Sequence, residues 1–267
     1  MTAAHGAEIA AAAERLRHAY ESGVATAPVR SELPPDDISA AYAVQLTNTR
    51  FWTDAGRRVV GRKIGLTSEA VQRQLGVDQP DFGALFDDMM VEDKGSIPCD
   101  AVLQPRAEAE VAMILGKAIA EPCTSLDEVE AAVGLLVPAI EIVGSRIADW
   151  DITIVDTIAD NASSGMFVLG SQSVEPHLVD LAASKMEMTI DGEQASTGSG
   201  AACLGHPYNA ALWLANRMII EGTPLQEGDI VMSGALGPMK ELPPGSTASA
   251  TIEGLGSVQV TRAEVKA

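Results

Sequence analysis

A chain of 267 residues is long enough for one large or two small domains with a sizeable core. Its 37 acidic against 18 basic residues give a formal charge of -19, which repels phosphate backbones and anionic lipid and so excludes nucleic acid and membrane surfaces as partners. An apolar share of 46% with only 4% aromatics excludes a disordered chain and implies a core of small aliphatic side chains.

The first half reads as helical and the second as rich in strands. "AEIAAAAERLRHAYESG" is built of helix formers and stops at Gly23. A second helix, "PPDDISAAYAVQLTNTRFWTDAG", has Asp36 or Asp37 as N-cap, apolar positions at Ile38, Tyr42 and Leu46, and a stop at Gly56. The first strand is expected within "RRVVGRKIGLT". Residues 76–88, "GVDQPDFGALFDD", carry the Gly, Pro and Asp content of a loop, with Phe82 and Phe86 as anchors or as a pocket wall. Strands are expected at 107–115 and in "LVPAIEIVGS", separated by a short helix with a capping box from Ser125 to Glu128. "GMFVLG", a hairpin turning at Asp191-Gly192 and "GDIVMSGAL" follow; one helix, "HPYNAALWLANRMIIEG", lies before the last of these, and a hairpin closes the chain around Gly254 to Gly256. The spacing predicts a many-stranded, mostly antiparallel structure rather than a βαβ wheel. Cys99, Cys123 and Cys203 are far apart with no C-x-x-C pair, and there is neither a run of about 18 apolar residues nor a signal-like start, so a cytoplasmic location is expected.

"PRAEAEVAMIL" holds the first chemical question. In an extended chain Glu108 and Glu110 leave one face while Ala109, Val111 and Met113 leave the other. Glu141, in "PAIEIVG", sits opposite Ile140 and Ile142 in a strand that is apolar on both sides. If the two strands are neighbours, three carboxylates converge and repel unless a cation lies among them, and an all-oxygen set suits Mg²⁺ or Mn²⁺. The other reading places Glu108 and Glu110 on a wet face and pairs Glu141 with Arg106 or Arg146. Lys63, between Gly61 and Gly65, is either a ligand-binding or acid–base lysine on an open backbone or a surface lysine. Asp81 is either a carboxylate in a partly apolar pocket or a turn residue. "DTIADNASSG" suits a helix cap, a polar loop or a hydroxyl-lined pocket. "SGSGAACLGHP" lacks a Walker lysine, and with no histidine between His18 and His177 neither a His-based triad nor an H-E-x-x-H site is present.

Five blocks, "GRKIGLTSEAVQRQLGVDQPDFGALFDDM", "LQPRAEAEVAMIL", "PAIEIVGSRIADWDITIVDTIADNASSG", "CLGHPYNAALWLANRM" and "GDIVMSGALGPM", together resemble the hydratase and decarboxylase branch of the fumarylacetoacetate hydrolase superfamily, from about Pro28 to Val258. The resemblance implies an α+β fold: a mixed β-roll or barrel-like core of the C-terminal type of that superfamily, with an N-terminal helical part. It implies a helical, lid-forming region over 1–92 and a β-rich, metal-binding catalytic domain over 93–267. Residue by residue, metal ligands fall on Glu108, Glu110 and Glu141, catalytic residues on Lys63 and Asp81, and substrate-binding residues on Lys63 and Ser163. The implied reaction is hydration of 2-hydroxypenta-2,4-dienoate to 4-hydroxy-2-oxopentanoate through an enolate stabilised by Mg²⁺ or Mn²⁺, within aromatic meta-cleavage catabolism. Decarboxylation of 2-oxo-3-hexenedioate and hydration of a longer dienoate are the alternatives. A homo-oligomer, pentamer or decamer, and association with a downstream pathway enzyme are also implied. A non-catalytic relative would lack a ligand or the lysine, and all are present.

Overall fold

In the computed structural model, which describes residues 3–34, 36–68, 72 and 77–265, the chain starts with two helices, α1 (Ala3–Ser22) and α2 (Ile38–Asp54). Both stop at glycines in the left-handed region, Gly23 at φ 67° and Gly56 at φ 100°, where a side chain would be strained. Asp37 caps α2 by accepting from the Ala40 N–H at 2.9 Å. The inward stripe of α2 runs along Ala41, Val44 and Gln45 as well as Tyr42, so Leu46, expected inside, is 43% exposed.

β1 (Val59–Gly65) pairs antiparallel with β2 (Asp81–Phe86). Residues 81–86 were expected in a loop; instead all six are buried strand. Gly83 is the physical reason: a Cβ there would meet the Asn161 carbonyl oxygen at 2.3 Å, so the glycine marks a close approach of backbone and not a turn. Gly76, the expected start of that loop, lies outside the described residues. The glycines around Lys63 also differ from expectation. A Cβ on Gly61 would meet the Ile230 carbonyl oxygen at 1.9 Å, and one on Gly65 the Asp81 Oδ1 at 2.1 Å. Both spaces are filled by the protein itself, not held open for a ligand.

The remaining strands are β3 (Met90–Val91), β4 (Gly95–Ile97), β5 (Arg106–Leu115), β6 (Val133–Val143), β7 (Met166–Leu169), β8 (Lys185–Ile190), β9 (Glu193–Ser199), β10 (Ile230–Met232), β11 (Lys240–Glu241), β12 (Thr247–Ile252) and β13 (Gly256–Arg262). One sheet has the order β2-β1-β10-β5-β6-β7-β3, with β11 added to β5; the other runs β4-β13-β12-β8-β9. Pairing is mostly antiparallel, and β1 with β10, β3 with β7 and β4 with β13 are the parallel pairs among the described residues. The result is an α+β architecture with a mixed, curled β core. Three helices, α3 (Leu126–Glu130), α4 (Ile154–Ala159) and α5 (Pro207–Ile220), complete the set named here. The α3 cap is shared: Ser125 accepts from Glu128 N–H, while the Glu128 carboxylate takes the Thr124 N–H at 2.6 Å, one residue earlier than a capping box requires.

Strand alternation divides the core. Ala107, Ala109, Val111 and Met113 of β5 face the main apolar cluster, which includes residues of α1, α2 and α5. The opposite face carries a smaller cluster of Ala112, Val137, Ala139, Phe167 and Met232, and Glu108 and Glu110 leave from that face. Gly61→Ala is expected to destabilise the fold by about 1–3 kcal/mol, since the new methyl has no space beside Ile230. A clearly lowered thermal midpoint checks this; an unchanged one would mean that β1 and β10 are not packed as described.

Candidate active site

Residues paired across neighbouring strands put their side chains on the same face. Glu108 is the register partner of Glu141, and Glu110 of Ala139, so β5 and β6 bring three carboxylates together. One oxygen from each of Glu108, Glu110 and Glu141 lies within 4.8 Å of the others. Lys63 pairs with Met232 of β10, which pairs with Ala112 of β5, so the lysine is on the glutamate face. Asp81 pairs with Gly65 and therefore lies beside Lys63 on that face. The bare glycine gives the Asp81 carboxylate its room.

Lys63 Nζ lies 3.3 Å from Glu141 Oε2 and donates to the Ala162 carbonyl at 2.8 Å. Arg146, one of the two arginines that the alternative reading pairs with Glu141, pairs instead with Asp160 at 2.5 Å. The other, Arg106, stacks over Trp150. Gly234 N–H donates to Glu110 Oε2 at 2.8 Å. Among the described residues, no donor is aligned to hydrogen-bond Glu110 Oε1, either Glu141 oxygen or Asp81 Oδ1, although all are buried. Oxygens converging from Glu108, Glu110 and Glu141, with those of Glu110 and Glu141 partly bare, fit a hard divalent cation.

Burial and mutual repulsion dominate the electrostatics. Burial pushes the Glu141 carboxyl up to about 7, with the Lys63 ammonium opposing and Glu108 adding to the rise. Burial also lifts Glu110 well above the carboxylate range, reinforced by Glu141 and Glu108. Glu108 and Asp81 are raised by burial too, in both cases against the pull of Lys63. For Lys63 itself burial favours the neutral form, yet Glu141, Asp81, Glu108 and Glu110 together outweigh it and hold the ammonium above its ordinary value.

A turn of unusual backbone completes the wall. Asn161, Ala162 and Ser163 are all left-handed, at φ 55°, 52° and 54°, although none is glycine. Ala162 supplies the carbonyl to Lys63, and the Ser163 hydroxyl lies 3.2 Å from Thr157 Oγ1, which donates to Asp81 Oδ2 at 3.4 Å. The Asn161 amide bonds both the N–H and the carbonyl of Ala84, tying the turn to β2. Arg146 braces it from behind through Asp160 and the Asp160 and Ser164 carbonyls. Lys63, Asp81, Glu108 and Ser163 line a cavity of about 530 Å³, whose remaining wall includes Trp150 and Met239.

All six residues singled out in the sequence, Lys63, Asp81, Glu108, Glu110, Glu141 and Ser163, thus lie in or directly behind one wall. Sequence reasoning does not single out Thr157 and Asn161, and it gives Arg146 no role in the turn. Thr157 and Asn161 lay inside a segment already read as polar, but nothing local ranks one hydroxyl or amide above its neighbours. Arg146 was noticed with the wrong partner.

Residues 59–262 match the family model of the fumarylacetoacetate (FAA) hydrolase C-terminal domain. The chain belongs to this family. It is 52% identical over 248 residues to a 2-keto-4-pentenoate hydratase of Paraburkholderia xenovorans, covering 93% of this chain and 92% of that protein. To a 2-hydroxyhexa-2,4-dienoate hydratase of Comamonas testosteroni it is 41% identical, over 92% of this chain and 94% of the relative. The fold superimposes on 4-oxalocrotonate decarboxylase from Pseudomonas putida G7, complexed with magnesium and adipate, with a TM-score of 0.91 and 31% identity over 95% of this chain and 97% of the other.

The raised Glu141 value has a definite sign in stability. A carboxyl at about 7 in the folded chain against 4.5 when exposed in the unfolded chain stabilises the fold most below pH 4.5, and that contribution is lost as pH rises through 7. In metal-free protein, Glu141→Gln, which mimics the protonated acid, is expected to melt near wild type at pH 5 and several degrees above it at pH 8. Parallel melting curves across that range would contradict the buried, raised carboxyl.

Proposed function

We propose that this protein is a metal-dependent hydro-lyase that converts 2-hydroxypenta-2,4-dienoate to 4-hydroxy-2-oxopentanoate in aromatic meta-cleavage catabolism. The carrying observation is the wall on which Glu108, Glu110 and Glu141 converge beside Lys63 and Asp81, in a chain 52% identical to a named 2-keto-4-pentenoate hydratase. Magnesium or manganese is the cofactor in this reading, held by the three glutamates; their convergence and the free oxygens of Glu110 and Glu141 support it. When bound, the ion supplies Lewis-acid stabilisation of negative charge on the substrate's carboxylate and C2 oxygen.

The protein's own residues then have separable tasks. Ketonisation moves a proton from the C2 hydroxyl to C5; hydration adds hydroxide at C4 and a proton at C3. Lys63, kept cationic by its carboxylate neighbours, holds the anionic end of the substrate. Asp81, raised by burial, carries protons to and from the carbon chain, oriented by Thr157. Ser163 offers a hydroxyl to substrate. Residues 1–92 contribute α1, α2 and the Lys63–Asp81 wall, and 93–267 the metal ligands, which is the division of labour we assign to the two regions. A cytoplasmic homo-oligomer, a pentamer or decamer in contact with a downstream enzyme, belongs to the same reading.

The decarboxylase neighbour, complexed with adipate, raises a second reading in which the substrate is a dicarboxylate. Among the described residues lining the cavity Lys63 is the one cation, which favours a single carboxylate. A dienoate one carbon longer is compatible with the hexadienoate hydratase relative. The test is metal-stripped protein mixed with 2-hydroxypentadienoate, with the dienol absorbance followed before and after addition of Mg²⁺ or Mn²⁺. Turnover is expected only with the ion, and Asp81→Asn should lower kcat about 100-fold or more. No turnover in either state, together with CO₂ release from 2-oxo-3-hexenedioate, would replace the hydratase reading with the decarboxylase.

A further inference from the structure

An anionic substrate faces an electrostatic obstacle here. The chain carries a formal charge of -19, the cavity wall presents Asp81 and Glu108, and Glu110 and Glu141 stand beside them. Lys63 is only 3% exposed, too deep to attract an anion from solution. Arg106 is placed differently. It begins β5 two residues before Glu108 and so leaves the sheet on the glutamate face, while Lys240, register partner of Ala107, leaves from the other.

The Arg106 guanidinium lies 4.4 Å over the Trp150 ring, with Nη1 4.0 Å from Met239 Sδ. Half-buried Trp150 and 38% exposed Met239 line the 530 Å³ cavity, and Trp150 and Arg106 also wall an outer hollow of about 510 Å³. No ion pair joins Arg106 to a carboxylate among the described residues, including Glu241, its register partner on β11. The stack is built rather than incidental. Gln104, Asp149 and Trp150 are all left-handed non-glycine residues, at φ 51°, 60° and 54°. They are held there by Trp150 Nε1–H donating to the Gln104 carbonyl at 3.1 Å and by the Gln104 amide donating to the Ser145 and Ile147 carbonyls. Strain kept in place by several bonds, at the mouth of a cavity, calls for a function.

We propose that Arg106, held on Trp150 at the mouth of the cavity, captures the substrate's carboxylate on entry and so sets the efficiency with which the site takes anionic substrates. The inference rests on the dienoate reading above. The guanidinium is a charged, unpaired donor fork at the boundary between the outer hollow and the inner cavity, and it offsets locally the field that would turn an anion away. It takes no part in moving protons, so it is a positioning residue and not a catalytic one.

Arg106→Met keeps an apolar stem over Trp150 and removes the charge; Arg106→Lys keeps the charge. In the magnesium-loaded protein, Arg106→Met is expected to lower kcat/KM for 2-hydroxypentadienoate about tenfold through KM, with kcat within about twofold, and to make its response to added salt more positive than in wild type. Arg106→Lys should restore most of the loss. Oxalate binding to the same proteins, measured by calorimetry, should weaken about tenfold at low ionic strength and converge with wild type at high salt. Wild type that binds oxalate but leaves the dienoate untouched would sink the activity reading alone. Equal oxalate affinity and equal salt dependence in wild type and Arg106→Met, or a loss borne by kcat, would overturn the capture role.

Discussion

Four carboxylates around one lysine, most of them out of reach of water, is the constraint on which the rest of this structure depends. A buried charge without a partner costs several kcal/mol, and a single ammonium cannot neutralise Asp81, Glu108, Glu110 and Glu141 together. Left to themselves the acids respond by holding protons, which is why burial pushes Glu141 up to about 7. A divalent cation would resolve the same imbalance in another way, and the converging oxygens of Glu108, Glu110 and Glu141 suit one.

The surrounding architecture keeps that unfavourable arrangement from relaxing. Long strands β5 and β6 fix Glu108 opposite Glu141 through an unbroken register from Arg106 to Ile114, so neither residue can move to the other face without breaking the centre of the sheet. Lys63 and Asp81 arrive from β1 and β2 on the same face, with Gly65 and Gly83 allowing the close approaches that larger residues would block. The left-handed turn at Asn161–Ser163 is costly in backbone energy, and the buried Arg146–Asp160 pair with its carbonyl bonds holds it in position. A network that serves one turn in this way explains why so much polar chemistry is enclosed in a core otherwise built of Ala, Val, Ile and Leu.

Much of this was legible from residue order, and the gaps have physical causes. Strand parity alone places Glu108 and Glu110 on one face, and an isolated glutamate between isoleucines in "PAIEIVG" points to the same need for a cation. Helix limits at Gly23, Gly56 and Pro207, and the Asp191-Gly192 hairpin, follow from backbone rules that act locally and match the observed elements. What local rules cannot carry is contact between distant segments. Residues 81–86 look like a loop because their glycine serves a neighbour, Asn161, 78 positions beyond Gly83. Strands as short as β3 and β11 have too few residues for alternation to show, since each owes its form to the strand beside it. The partner of Arg146 and the left-handed run at 161–163 depend on the assembled wall, and neither composition nor spacing marks them. Resemblance to the family supplied the roles of Lys63, Asp81 and Ser163, for which the residues alone left two readings each.

Diffraction at the manganese edge from crystals grown with Mn²⁺ tests the central claim most directly. The account predicts one anomalous peak per chain among the Glu108, Glu110 and Glu141 carboxylates, lost in Glu110→Gln with the fold retained. Manganese seated elsewhere, or a peak that survives in Glu110→Gln at full strength, would contradict it.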